Sequence, residues 1–238
     1  MPIEIQKIAL KRLMSETAQR CFKERLADSY LVCDSETSGT DHVKDFIQQY
    51  GFCVVINRKI HSNFSIIINR GRDLHIHPKA LEVHGIDHDR MEREGVPVRE
   101  GINLIIDTFE AFRKQRFMFV GHNLINFDIP FFELDGKVNG RSFVFGPDEV
   151  IDTGALVKAV QLGMYYNKSD TLRSFAKRAA SVRAKGIFWA LDKYCYDTYA
   201  LGSRSGIKKE EAHDAGIDCL LTHHLLETLR EIFECKLS

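Results

Sequence analysis

The spacing of apolar residues divides the chain into strand-like and helix-like segments. Short runs rich in Val and Ile predict strands at 30–34, 52–58 and 64–70. Because only a short polar connection separates the last two runs, we expect an antiparallel meander. Helical spacing and apolar runs predict the later elements: helices at 99–113, from 128, from 153 and at 212–236, and strands at 116–121 and 150–152. This order indicates an α/β domain in which helices cover a mixed sheet.

Two further segments are helical in pattern but harder to place. Residues 4–27 have the apolar spacing of an amphipathic helix, and residues 168–200 are helical but irregular, with a break near Gly186. We therefore divide the chain into an N-terminal helical appendage at 1–28 and a domain at 29–238. The appendage is expected to pack on its own domain, and a polymerase contact or self-association through it is the alternative.

Composition narrows the class of protein. The chain has 238 residues, of which 44% are hydrophobic, so it can bury a core. No stretch approaches the ~20 apolar residues of a membrane helix, and no secretory signal is evident. Six cysteines lack C-x-x-C spacing, which favours reduced thiols and a cytoplasmic location. Lys plus Arg and Asp plus Glu are equal at 33 each, so net charge gives no argument for nucleic acid.

Candidate chemistry lies in five residues from three distant segments. Asp34 and Glu36 end the first strand, Asp128 begins a helix, and His213 and Asp218 open the last helix. Clustered carboxylates do not all stay ionised unless cations lie among them, and oxygen-rich clusters suit Mg²⁺ or Mn²⁺. Two such ions can support in-line attack on a phosphodiester. The alternatives are exposed turn acids, a helix-capping aspartate and a surface histidine.

The geometry of strands and helices restricts where these five side chains can lie. Residues two apart on a strand share a face, so Asp34 and Glu36 can meet one ion while Ser35 points the other way. Five residues turn a helix by about 140°, so His213 and Asp218 cannot share a helical face. We therefore expect His213 at or before the first turn, on an edge, and Asp218 held inside. In the alternative, Asp214 is only a helix cap.

Several motifs in order resemble those of a known family. They are Asp34-Ser-Glu36-Thr-Ser-Gly39, His84-Gly85-Ile86, His122-Asn123 with Phe127-Asp128, Ile151-Asp-Thr153 and His213-x-Ala215-x-x-Asp218. From about Tyr30 to Leu229 the chain resembles the DnaQ-like 3′–5′ exonucleases of the DEDD superfamily, in the histidine-bearing DEDDh branch. The second motif has three residues between Asn123 and Phe127 where the family usually has two. That spacing resembles the exonuclease domain of family B DNA polymerases.

The resemblance implies a fold and a mechanism. The fold is ribonuclease H-like, a five-stranded mixed sheet flanked by helices. Asp34, Glu36 and Asp218 would surround one divalent cation, Mg²⁺ or Mn²⁺, and Asp34 would bridge to a second with help from Asp128. His213 would be the general base, and the product a nucleoside 5′-monophosphate. The residues implied in nucleotide binding are Ser35, Thr37, His84, Ile86 and Asn123.

The expected substrate is a single-stranded or frayed 3′ end, with DNA favoured over RNA. Cationic candidates for the phosphate backbone are Arg173, Lys177, Arg178, Arg183 and Lys185. Three alternatives stay open. They are an exoribonuclease of the same superfamily, a non-catalytic nucleic-acid-binding scaffold, and a zinc site. Histidines for that zinc site would come from one short region, at His61, His75, His77, His84 and His88.

Overall fold

The strand runs near the start of the domain form the predicted antiparallel meander. The computed structural model describes residues 26–162, 169–180 and 213–234. The strands are β1 (Tyr30–Thr37), β2 (Ile47–Ile56), β3 (Lys59–Asn69), β4 (Val96–Pro97), β5 (Met118–Gly121) and β6 (Val150–Asp152). The helices are α1 (Pro78–His84), α2 (His88–Glu94), α3 (Val98–Lys114), α4 (Asp128–Val138), α5 (Thr153–Leu162), α6 (Leu172–Ala180) and α7 (Ala215–Glu234).

The sheet is mixed and has the order β4-β3-β2-β1-β5-β6. β1, β2 and β3 are antiparallel neighbours, whereas β5 runs parallel to β1 and β6 parallel to β5. The number of strands differs from the prediction, which was five and not six. The additional strand is β4, whose two residues pair with Ile68 and Asn69 at the end of β3. Two residues are too few for an alternating pattern, so the sequence carries no signal for this strand.

The boundaries of α3 and the start of α4 follow the prediction closely, whereas α1 and α2 were not predicted. α3 buries a single stripe that includes Ile102, Ile105, Ile106 and Phe109, which is the arrangement expected of a helix packed on a sheet. α4 begins at Asp128 and carries a proline in its first turn, as predicted. α7 begins at Ala215, three residues later than the periodicity indicated, because Asp214 caps the helix there.

An aromatic cluster fills the core on one face of the sheet. Its rings come from β2, β5, α3, α4 and the loop after α4, and are Tyr50, Phe52, Phe109, Phe119, Phe132, Phe143 and Phe145. Most pairs meet tilted or edge to face; Phe109 and Phe132 are 4.9 Å apart and Phe109 and Phe145 are 5.0 Å apart, the geometry that aromatic quadrupoles favour. This packing places α3 and α4 against the sheet, and with them the start of α4.

The opposite face is covered by α7, which a polar network fixes along the sheet. The Tyr30 hydroxyl donates to Glu227 (2.8 Å) and lies 2.8 Å from Nδ1 of His223. Arg58 and Arg230 contact the same Glu227 carboxylate at 2.7 and 3.2 Å. A half-buried charge held by several partners is costly to displace. The network therefore sets the position of α7, and the acidic residue at its start, relative to β1.

Two predicted segments lie largely outside the described residues. Of the predicted helix at 4–27, only Leu26 and Ala27 are described, and neither is helical. A polymerase contact or self-association through that segment therefore gains no support. Of the irregular region, 169–171 are non-helical and 172–180 form α6, whereas the predicted break at Gly186 is outside the described residues. No helix in the described part of the chain is both long and apolar enough to cross a lipid bilayer.

Candidate active site

The end of β1 carries the first two acidic residues of the site. Successive strand residues point to opposite faces, so Asp34 and Glu36 share one face and Ser35 lies on the other. In the register with β2, Asp34 pairs with Gly51 and Glu36 with Gln49. A side chain at Gly51 would run into the backbone of α7, so this is the face that α7 covers. The predicted common face of the two carboxylates is confirmed.

The start of α7 brings in His213 and Asp218 from the far end of the chain. Asp214 caps the helix, because its Oδ1 accepts hydrogen bonds from the backbone N–H groups of Gly216 (3.0 Å) and Ile217 (3.3 Å). His213 precedes the cap, is exposed and has a left-handed backbone with φ of 68°. Asp218 is buried in the first turn. The structure thus separates an exposed histidine from a buried carboxylate, as the spacing predicted.

Glu36, His213 and Asp218 converge although they are far apart in sequence. One ligand atom from each lies within 4.8 Å of the other two. Within residues 26–162, 169–180 and 213–234, no other three His, Cys, Asp or Glu side chains meet in this way. The zinc site suggested by the histidine-rich segment 61–88 is therefore not formed. The two carboxylates suit a divalent cation, and the imidazole beside them suits a neighbouring base.

Asp128 reaches the site from the other face of the sheet. It is the first residue of α4, and its Oδ1 accepts a 2.6 Å hydrogen bond from the Ser35 hydroxyl. The N-cap position belongs to Phe127, so the interpretation of Asp128 as a capping residue is wrong. The resemblance implies that Ser35 binds nucleotide, and Ser35 does border a cavity next to Glu36 that is described below. Its hydroxyl, however, donates to Asp128 and joins the end of β1 to α4.

Burial raises the pKa of Asp34, Glu36, Asp128 and Asp218, and repulsion from the other carboxylates of this set adds to it at Asp34 and Glu36. Burial is the largest cause for Glu36, with Asp218 and Asp128 adding repulsion, and its pKa rises from 4.5 to about 8. Burial likewise raises the pKa of Asp128 and of Asp218 from 3.8 to about 7. The pKa of Asp34 is raised by burial and then by Asp128, Asp218 and Glu36. Without cations, the cluster therefore holds protons near neutral pH.

The cluster fits a divalent metal ion. Oδ1 of Asp218 is buried and has no hydrogen-bond partner within the described residues. An unpartnered buried carboxylate oxygen is costly unless a ligand satisfies it. A cation among the carboxylates would supply that partner and would favour their ionised forms. Carboxylate oxygens are the ligands that Mg²⁺ and Mn²⁺ prefer, and His213 would then lie beside the ion as a base.

Thr37 and His84 brace the chain next to this cluster. Nδ1 of His84 accepts a hydrogen bond from the Ile86 N–H at 3.0 Å, so Nε2 carries the proton and donates to the Thr37 carbonyl at 3.1 Å. The Thr37 hydroxyl donates to the Gly39 carbonyl at 2.6 Å. These bonds tie the turn after β1 to the end of α1. Both residues line the cavity described below.

Two other residues assigned to nucleotide binding lie away from the cavity. Ile86 is fully buried and packs with Ile67 and Met91 in a small separate cluster. Asn123 adopts a left-handed backbone with φ of 63°, and its N–H donates to Oδ1 of Asp152 at 3.0 Å. Neither residue is part of the cavity wall. Their part in nucleotide binding stays a prediction.

Asp152 organises the loop with the unusual spacing. Its carboxylate accepts hydrogen bonds from the N–H groups of Asn123, Ile125 and Ala155 at 3.0–3.1 Å. The side chain at the end of β6 therefore holds the loop after β5 and also caps α5. The residue belongs to a motif found in the sequence, but its role there was not predicted. Because α4 begins directly after this loop, Asp152 contributes to the position of Asp128.

A cavity of about 350 Å³ adjoins Glu36 between the end of β1, α1 and the start of α4. Its walls combine apolar side chains with polar ones, and are Ser35, Glu36, Thr37, Gly39, Thr40, His77, Lys79, Ala80, Val83, His84 and Phe127. This size lies within the range of small-ligand pockets. Phe127 and Val83 offer apolar surface to a flat ring, and Lys79 offers a positive charge beside it.

Two of the cationic residues predicted for the phosphate backbone contact other protein groups. Arg173 donates to the Phe145 carbonyl at 3.2 Å, and Arg178 forms an ion pair with Asp170 at 2.5 Å. Lys177 is exposed on α6. The other two candidates, at 183 and 185, lie outside the described residues. Arg173 and Arg178 therefore contact other groups around α6, and Lys177 and Arg178 are both exposed on this helix.

The residues that pattern reasoning missed are Gln49 and Gly51 on β2. Both face α7. Gln49 hydrogen-bonds to Asp214 and Ala215 at its start, and Gly51 lies in close contact with its backbone. A buried glutamine within an apolar strand is the signal that could have indicated the first. Nothing local indicates the second, because a strand glycine acquires its meaning only from the element packed on it.

Comparisons with known proteins agree on one family. The sequence profile of the family described as Exonuclease matches residues 31–183, more than half of the chain. No curated protein matches the chain. The matched span contains Asp34, Glu36 and Asp128 and ends before His213 and Asp218. These last two join the site through the packing of α7.

Solved structures of E. coli exonuclease I share the fold. A zinc-bound complex with single-stranded DNA is 17% identical, covers 88% of this chain and 43% of that one, and has a TM-score of 0.63. A complex with a dA16 oligonucleotide is 15% identical, with 88% and 43% coverage and a TM-score of 0.62. The chain thus spans less than half the length of these structures. The profile match shows that the chain belongs to this exonuclease family, among the DnaQ-like proteins of the DEDD superfamily, and the solved structures share its fold.

Proposed function

We propose that the protein is a 3′–5′ exonuclease of the histidine-bearing branch, which releases nucleoside 5′-monophosphates from single-stranded or frayed ends, with DNA favoured over RNA. The observation that carries the proposal is the convergence of Glu36, His213 and Asp218 within 4.8 Å, beside a cavity of about 350 Å³. The solved relatives by fold include complexes with a dA16 and a dT13 oligonucleotide. Those complexes support single-stranded DNA as the substrate class.

In this proposal four carboxylates hold two divalent cations, Mg²⁺ or Mn²⁺. Glu36 and Asp218, which meet in the structure, would ligate one ion together with Asp34, although Asp34 lies outside the group that converges within 4.8 Å. Asp34 with Asp128 would ligate the other ion. The bound ions would supply Lewis-acid chemistry, promoting deprotonation of the attacking water and stabilising charge on the leaving oxygen. The raised pKa values of the acids support this arrangement, because a cluster that resists ionisation by itself is stabilised when cations enter it.

His213 is proposed as the general base. It is exposed, yet one of its ring nitrogens lies within 4.8 Å of the carboxylates of Glu36 and Asp218. An imidazole in this position can take the proton of the attacking water and pass it to solvent. The turn of Thr37 and His84 would hold the terminal nucleotide, with Phe127 against its base. A base must leave its stack to enter such a cavity, which favours single-stranded ends.

Digestion of matched DNA and RNA oligonucleotides, labelled separately at each end, tests the proposal. With Mg²⁺ or Mn²⁺, a 3′ label should leave at once as a mononucleotide, and a 5′ label should mark a descending ladder, faster for DNA. Asp34→Ala and Asp218→Ala should be folded but inert, whereas the exposed Asp73→Ala control should match wild type. His213→Ala should lose roughly 10²–10⁴-fold in rate and retain stabilisation by the metal.

Three results would contradict parts of the proposal. Wild-type activity in Asp218→Ala would refute the metal ligands. Faster release from RNA would make the protein an exoribonuclease. Tight binding of oligonucleotide with no product in either metal would favour a scaffold.

A further inference from the structure

Gln49 is a fully buried amide at the junction of the sheet and α7. Its Nε2 donates to the Ser65 hydroxyl at 3.1 Å and to Oδ2 of Asp214 at 2.7 Å. Its Oε1 accepts from the backbone N–H of Ala215 at 3.1 Å. The carboxylate requires an amide N–H and the backbone N–H requires an amide oxygen, so both partners fix the same orientation of the side chain. Three elements are thereby joined by one side chain.

These contacts determine how α7 begins. A helix leaves its first backbone N–H groups without intrahelical partners. Gln49 satisfies the N–H of Ala215, and Oδ1 of Asp214 satisfies those of Gly216 and Ile217. The N–H of the following residue, Asp218, donates to the Asp214 carbonyl at 2.9 Å. The first turn is therefore held by Asp214, and Asp214 is held by Gln49.

His213 immediately precedes this cap and has an unusual backbone. Its φ of 68° is left-handed, a conformation that is unfavourable for a residue with a side chain. Such a conformation persists only when its surroundings impose it. The adjacent residue, Asp214, is fixed by the amide of Gln49, and Gln49 pairs across the strands with Glu36. Gln49 thus links the position of His213, the proposed base, to β1, the strand that carries Glu36.

We propose that Gln49 is a positioning residue that acts through His213, by holding Asp214 and the first N–H of α7. This inference rests on the proposed exonuclease activity and deepens it. Among the described residues, the side chain of Gln49 hydrogen-bonds to Ser65, Asp214 and Ala215, which are not proposed metal ligands, and Gln49 is not part of the cavity wall. Its loss should therefore displace the base without removing a group that binds nucleic acid.

A double-mutant cycle with Gln49→Met and His213→Ala tests this role. In the full chain, Gln49→Met should lower kcat about 10–100-fold, as expected when a reacting group is misplaced by about 1 Å, and should leave KM for a single-stranded oligonucleotide within about threefold. In the His213→Ala background, the same change should lower kcat less than about threefold, because residues that act as a unit are not additive.

Gln48→Met is the matched control. Gln48 is the preceding residue of β2, is equally buried, and donates to the Ile86 carbonyl and the Met91 sulfur on the other face. Its loss should reduce thermal stability, and any effect on kcat should be the same in both backgrounds. If Gln49→Met does not fold, Gln49→Glu keeps the acceptor for Ala215 but cannot donate to Asp214, and enters the same cycle.

The outcomes separate the two proposals. If the wild-type chain degrades no oligonucleotide, the proposed function fails, and the positioning role fails with it. If the wild type is active and Gln49→Met lowers kcat by equal factors in both backgrounds, only the positioning role is overturned. A rise in KM with unchanged kcat would also overturn it. A large effect in wild type that nearly vanishes in His213→Ala supports it.

Discussion

Replacing Asp218 by asparagine should stabilise the metal-free protein while abolishing activity. Burial raises the pKa of this carboxyl from 3.8 to about 7. The folded chain therefore keeps a proton that the unfolded chain releases near pH 4, so unfolding releases protons between these values. The free energy of unfolding consequently falls as the pH rises from about 4 to 7. The asparagine side chain has a similar shape and no proton to lose, so the Asp218→Asn variant escapes this loss.

The size of the effect follows from the pKa change. Each pH unit is worth about 1.4 kcal/mol, so a rise from 3.8 to about 7 corresponds to an upper value of about 4 kcal/mol. Glu36 and Asp128 titrate in the same range, and coupled groups share their protons. We therefore expect about 2 kcal/mol for the single substitution at pH 8. That corresponds to a rise in Tm of roughly 4–8 °C for a chain of this size.

Thermal melts in EDTA from pH 4 to pH 8.5 measure this difference. The advantage of Asp218→Asn should grow with pH and should be small at pH 4. Asp73→Asn, which removes an exposed carboxylate, should show no such trend. Adding Mn²⁺ at pH 8 should stabilise the wild type, by about 2.7 kcal/mol at a hundredfold excess over Kd, and should leave the variant nearly unchanged. A variant that is less stable than wild type at pH 8 in EDTA would refute the reasoning.

Two further substitutions test contacts around the cluster. Ser35→Ala removes the 2.6 Å hydrogen bond to Asp128, and a hydrogen bond to a charged group is worth about 1.5–3 kcal/mol. The metal concentration for half-maximal activity should therefore rise about tenfold or more. An unchanged metal requirement would show that the Ser35 hydroxyl does not support the site. Gly51→Ala introduces a methyl group that would overlap the Ala215 carbonyl. The free energy of unfolding, measured by chemical denaturation, should fall by about 1–3 kcal/mol, and the rate of digestion should fall as well. Wild-type stability with full activity would contradict the close packing of α7 on β2.

The site was predictable where its residues are set by local rules. Strand alternation places Asp34 and Glu36 on one face whatever the rest of the chain does, and helix geometry separates His213 from Asp218. Burial could not be derived in this way. Ile86 lies in a motif beside the site but faces a separate apolar cluster, since its direction depends on how the segment between α1 and α2 packs against β3.

The assignment of hydrogen-bond roles also required the three-dimensional structure. The sequence placed Ser35 beside the carboxylates as a nucleotide-binding residue, but in the fold its hydroxyl reaches Asp128 on α4. A helix-capping role for Asp128 was equally plausible from its position, yet Phe127 occupies that place. Ser35 and Asp128 are about ninety positions apart in the chain. A periodic pattern of residues cannot indicate a contact between segments that far apart.

By itself, the sequence determined the order of the strands and helices other than α1, α2 and β4, together with the acidic and histidine motifs and the family to which they belong. Each of these depends on residues within a few positions of one another. The tertiary structure alone decided that a two-residue β4 adds a sixth strand, that Asp152 holds the loop before α4, and that Gln49 and Gly51 receive the start of α7. These features arise when distant segments pack together. Their energies depend on contacts between side chains and backbone groups that no local pattern specifies.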